Sequence, residues 1–221
     1  MHKNMKWIQA VVACLLVLGM LSSLITVRAC SSSYTTYKSP AGLFGISYPP
    51  DWDLALDSIQ DVNGVEKNVI DAINSNTPLA SAQYIFFADK GPGAGPAVAV
   101  SVESVAVTDY AYDKVIEAYL AEIKQSKSVS ISFNSIDQVK TKVGGKQAVI
   151  LDLDYNIGPR ASTGPGDIVT GPAPYRIHEL RLIVPVNKMV WIVECYPASP
   201  EDFNKWKPVF QEIVKTLRIY K

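Results

Sequence analysis

The chain has 221 residues, enough for one domain of ordinary size whose core needs no covalent staples. Lysine and arginine number 21 against 21 acidic residues, so no basic excess advertises a phosphate backbone, and no nucleic acid partner is expected. The only charges in the first 29 residues are Lys3, Lys6 and Arg28, so the remainder carries 18 basic and 21 acidic residues, a net charge of −3.

The amino terminus has the order of an export signal. Lys3 and Lys6 precede an uncharged apolar stretch from Trp7 to Val27, and small residues follow. Cleavage after residue 29 is the preferred reading. The stretch is long for a signal, and an uncleaved membrane helix is the alternative. Val27, Ala29 and Cys30 resemble a bacterial lipobox, in which lipid is attached to the cysteine sulfur, although Arg28 departs from that pattern. The expectation is therefore a signal peptide over 1–29 and a lipid-anchor cysteine, Cys30. A polar spacer runs to residue 42, and a folded domain covers 43–221. The protein would be exported and held on the outer side of the membrane through Cys30. Of the other cysteines, Cys14 lies in the signal. Cys195 alternates with Val193 and Trp191 and reads as an inert buried thiol. A Cys30–Cys195 disulfide is the competing reading.

Along the domain, FGISY reads as a strand stopped by Pro49 and Pro50, with a second short strand from Trp52. AQYIFFADK and AVAVSVESVAV read as a hairpin around GPGAGP, a loop that lacks the lysine and hydroxyl of a phosphate-binding loop. From Asp109 to Lys127 the period becomes helical. Tyr112, Val115, Ile116, Tyr119, Leu120 and Ile123 form one stripe, capped by Thr108 or Asp109, that covers a sheet. Strands return over 129–157 around a turn at Gly144–Gly145. RIHELRLIVPV and MVWIVECYP follow, joined by a turn over Pro185–Lys188. A terminal helix is expected from Ser199 as N-cap and Pro200 at the first position, with Pro208 kinking or dividing it.

FGISYPPDW, the GGKQA turn and the closing VWIVECYPASPEDFNKWKPVFQEIVKTL together resemble the PsbP-like family, whose founding member is an extrinsic protein of photosystem II. The matching positions are Tyr48, Pro49 and Trp52, then Gly144, Gly145 and Ala148, then Phe203, Pro208 and Phe210. The resemblance covers about residues 43–219 and rests on packing and turn residues. It implies an α+β fold, a central antiparallel β-sheet flanked by helices on both faces. It also implies an alternative function as a photosystem II extrinsic subunit or a metal-binding accessory protein.

For chemistry, the sequence holds no Gly-x-Ser-x-Gly, His-Glu-x-x-His or Cys-x-x-Cys motif, and His178 is the one histidine outside the signal. No enzyme is expected and no cofactor is required. One metal constellation stands out. Asp152 and Asp154 alternate on one strand, and pairing with the strand of Glu179 would assemble a hard-cation site for calcium or manganese. The other reading of the same letters is a solvated sheet face with ion pairs, Arg181 sharing the side of Glu179. Tyr34, Tyr37, Tyr155 and Tyr175 flank the loops and either line a groove or pack edge strands. Between positions 157 and 175 lie four glycines and four prolines, a long excursion read as an exposed partner-binding loop with Gly158, Arg160, Asp167 and Tyr175 as contacts. The expected protein is a membrane-tethered, noncatalytic binding or assembly module with an envelope protein as partner.

Overall fold

The computed structural model describes residues 33–56, 61–91, 95–107, 109–124, 129–159 and 175–220. Cys30, the signal and residues 160–174 lie outside the described residues.

Ten strands and three α-helices are described, and the sheets are antiparallel throughout. β1 (Thr35–Lys38), β2 (Phe44–Tyr48) and β10 (Arg218–Ile219) form a small sheet in the order β1-β2-β10. The main sheet comprises β3 (Asp53–Leu54), β4 (Gln83–Asp89), β5 (Ala97–Glu103), β6 (Val129–Val143), β7 (Lys146–Pro159), β8 (Tyr175–Val186) and β9 (Met189–Tyr196). Its order is β3-β4-β5-β9-β8-β7-β6. The α+β class implied by the sequence is what the strand pairing builds.

Local chemistry explains most of the punctuation. Gly144 and Gly145 both have positive φ, 57° and 80°, as a two-residue hairpin turn of this twist requires, and Val143 faces Lys146 across it. The β8–β9 turn is tighter than expected. Pro185 still pairs with Val190, and only Asn187 and Lys188 turn, both with left-handed φ. In the β4–β5 connection the Lys90 amide donates to the Pro96 carbonyl at 3.0 Å and closes the glycine-rich loop.

Three expectations change. The folded unit begins before residue 43, because Thr35–Lys38, read as spacer, pair with Tyr48–Gly45 of β2. The terminal helix breaks elsewhere. A 3-10 turn over Pro200–Asp202 leads into α3 (Phe203–Lys215), which runs unbroken through Pro208, and Ser199 makes no side-chain bond to the helix backbone. A further helix, α1 (Val62–Ser75), was not anticipated. The carboxylate of its N-cap Asp61 accepts the Gly64 amide at 3.0 Å, so close that a Cβ on residue 64 would meet it. Asn76 ends the helix in a left-handed conformation.

The helix α2 (Tyr112–Lys124) and α3 cover opposite faces of the main sheet. Val115, Ile116 and Tyr119 of α2 pack on Val149, Leu151, Leu153, Tyr155, Ile183 and Ile192. On the other face Phe44 meets Trp191 and Phe86, and Phe203 of α3 lies against His178. Burying these side chains is the main stabilising term, each contributing roughly 1.5–3 kcal/mol.

Candidate functional site at the β7–β8 strands

β7 and β8 pair with Asp154 opposite His178 and Leu153 opposite Glu179. Since side chains alternate, Asp152, Asp154, Arg176 and His178 share one face, and Tyr155, Glu179 and Arg181 share the other.

On the first face both oxygens of Asp152 and both of Asp154 are engaged. Asp154 Oδ1 accepts Arg176 Nε at 2.8 Å and Asn134 Nδ2 at 3.0 Å, and its Oδ2 accepts Arg176 Nη2 at 2.7 Å. This two-pronged pairing holds its carboxyl down at about 2. Asp152 Oδ1 lies 2.8 Å from His178 Nε2, and Oδ2 accepts Lys207 Nζ at 2.6 Å. The His178 ring stacks on Phe203, centroids 3.6 Å apart at 16°, so strand and helix clamp it.

The opposite face carries a buried network under α2. Arg181 Nη2 lies 2.7 Å from Glu179 Oε1 and 2.8 Å from Glu194 Oε1, and its Nη1 donates to Tyr119 Oη at 2.7 Å. Tyr155 Oη donates to Glu179 Oε1 at 3.0 Å, and Tyr196 Oη to Glu194 Oε2 at 2.6 Å. The Glu179 side chain has 0% exposure and that of Arg181 13%. Burial pushes the Glu179 carboxyl up, while the adjacent guanidinium opposes that shift and is itself held protonated far above its ordinary range. Among the described residues Glu179 Oε2 and Arg181 Nε find no hydrogen-bond partner.

The proposed metal set is therefore divided. Glu179 stands on the far side of the sheet from Asp152 and Asp154, because one residue separates it from the parity of His178. Nor is its own face solvated, since α2 buries it. Asp152 and Asp154 remain neighbours, but a hard cation would have to displace Lys207 or Arg176 to reach them. Among the described residues no group of three His, Cys, Asp or Glu side chains is placed to hold a metal ion.

At the end of these strands Gly158 pairs with Ser130 and belongs to β7, not to the excursion. Tyr175 opens β8 opposite Ile157 and is 53% exposed. Arg160 and Asp167 lie outside the described residues. The tyrosines do not line a common groove: Tyr37 packs on Phe44 and Phe86, and Tyr155 is buried beneath α2. Cys195 is fully buried and its thiol pushed well above the usual range. Sequence reasoning missed Arg176, Lys207 and Asn134. Arg176 was findable, since it shares the parity of His178 beside Asp154; Lys207 and Asn134 depend on tertiary placement.

No family model matches the chain, and no curated protein matches it in sequence. Among solved structures it is similar to cyanobacterial PsbP (CyanoP) of Synechocystis sp. PCC 6803, at 13% identity and a TM-score of 0.47, over 90% of this chain and 99% of that one. It is also similar to the Ran-binding protein Mog1p of Saccharomyces cerevisiae, at 8% identity and 0.44, over 86% and 96%. LpqN of Mycobacterium tuberculosis, involved in cell envelope biogenesis, matches at 14% identity and 0.41, over 85% and 91%.

Proposed function

We propose that this protein is an extracytoplasmic, noncatalytic protein-binding module, tethered through Cys30, whose contact surface is the end of the β7–β8 pair, where Tyr175 and Arg176 project from opposite faces of the sheet. The observation that carries this reading is an exposed tyrosine followed by a half-exposed arginine on the first two residues of β8, where it pairs with the end of β7. Arg176 is half exposed yet fixed by its paired bonds to Asp154. Tyrosine and arginine are enriched among residues that dominate protein interfaces, and pre-ordering the guanidinium lowers the entropy lost on binding. The reactive groups nearby support recognition rather than catalysis: His178 is clamped between Asp152 and Phe203, and Cys195 is sealed in the core.

The test places a photo-crosslinking phenylalanine analogue at position 175, and separately at the equally exposed Tyr220, in the full chain expressed in its own cells. A discrete adduct of one mass from position 175, absent from position 220 and weakened by R176A, is the expected result. Equal, diffuse adducts from both positions would sink the proposal.

A further inference from the structure

We infer that the seat of α2 on the sheet is proton-linked: α2 is held tightly while Glu103 is protonated, and its hold weakens once Glu103 ionises. Charge is out of balance beneath α2. Arg181 is the one cation in the buried network and is already shared by Glu179 and Glu194 at 2.7 and 2.8 Å. Glu103 ends β5 on this same face, opposite Val190 in the pairing of β5 with β9, and it has no ion pair or hydrogen bond of its own among the described residues.

The groups that act on Glu103 come from every element around it. They are Glu122 and Tyr119 from α2, Arg181 from β8, Glu194 from β9 and Tyr84 from β4. Only one is cationic, and its charge is spent. An ionised Glu103 would therefore face two further carboxylates, Glu194 on the sheet and Glu122 on the helix. Lifting α2 would relieve the second of these contacts and let water reach the first.

Burial first, and Glu122 second, push the Glu103 carboxyl up to about 7. The sign follows. With α2 seated the group keeps its proton to about neutrality; with α2 lifted it titrates near its ordinary 4.5. The stabilisation of the seated state is thus fully present below about 4.5 and is lost progressively as pH rises through about 7. Above that it changes no further.

Hydrogen exchange on the full chain reads this directly. Protection factors of the α2 amides, residues 112–124, are compared at pH 5 and pH 8 after correction for intrinsic exchange. Wild type should lose about tenfold or more in α2 protection at pH 8, a discounted figure for a group partly open to solvent. E103Q should show the same α2 protection at both pH values. E122Q, an outward change that leaves the core intact, should reduce the loss. Amides of α3, residues 203–215, should stay level. Equal α2 protection at the two pH values in wild type would overturn the inference. So would an undiminished loss in E103Q, or a parallel loss in α3.

Discussion

On one face of β7 and β8 the ion pairs lie at the rim of the domain, with Arg176 and Lys207 reaching in from partly exposed positions to Asp154 and Asp152. On the other, Glu179, Arg181 and Glu194 are sealed under α2. The same two strands thus hold charge in two ways. At the rim Asp154 and Asp152 each have a cation of their own that is itself partly exposed, so the pairs set geometry at small net cost. Beneath α2, desolvation is large and compensation incomplete, with more carboxylates than cations and orphaned atoms on both Glu179 and Arg181. The rim presents a surface; the interior holds latent strain.

Removing a cation should separate the two faces most sharply. R181M leaves Glu179 and Glu194 buried without compensation and should cost about 3–5 kcal/mol in urea-induced unfolding. A loss below about 1 kcal/mol would mean that the carboxylates simply take up protons. F203A, which removes the ring beneath His178, should cost roughly 3–4 kcal/mol through the cavity it leaves. Its effect should appear as altered His178 shifts in NMR spectra, without change at Tyr119.

Acid should sharpen the contrast, because the two faces respond with opposite sign. Asp154 is held at about 2 against an ordinary 3.8, so its pairing stabilises the fold above about 3.8 and is lost as pH falls toward 2. Stability should therefore drop in that window by about 1–2 kcal/mol, screened because Arg176 is half exposed, and D154N should abolish that limb. The α2 face should gain stability between neutrality and pH 5. A single bell-shaped profile unaffected by D154N would defeat the assignment of the acid limb. Smallest of all, K207A should cost no more than about 1 kcal/mol, measured as a shift of a few degrees in Tm.

Much of the frame was legible because period and punctuation are local. The stripe from Tyr112 to Ile123, the Gly144–Gly145 turn and the β4–β5 hairpin follow from spacing and from dihedrals that few residues adopt. α1 was written just as plainly in Val62, Val65, Val69 and Ile73. It was hidden by Asn63 and Gly64 near its start, residues that locally favour turns, and by a cap in left-handed conformation. The site was legible in part. Asp152 and Asp154 do share a face, but assigning Glu179 required the register of β7 against β8, and a shift of one residue exchanges the faces. Burial of the Glu179 face could not be read locally, since it depends on where α2 comes to rest.

The small sheet has a topological consequence. β1 and β10 flank β2 and run in the same direction, so Thr35 lies level with Tyr48 while the Tyr220 amide reaches the Leu43 carbonyl. From strand spacing and rise these two points are on the order of 20 Å apart, a gap that about eight residues can span. A short linker could thus join Thr35 to Tyr220. A chain joined across that gap and opened instead between Pro159 and Tyr175 should keep every strand pairing described, and would carry its new ends beside the surface proposed above for a partner.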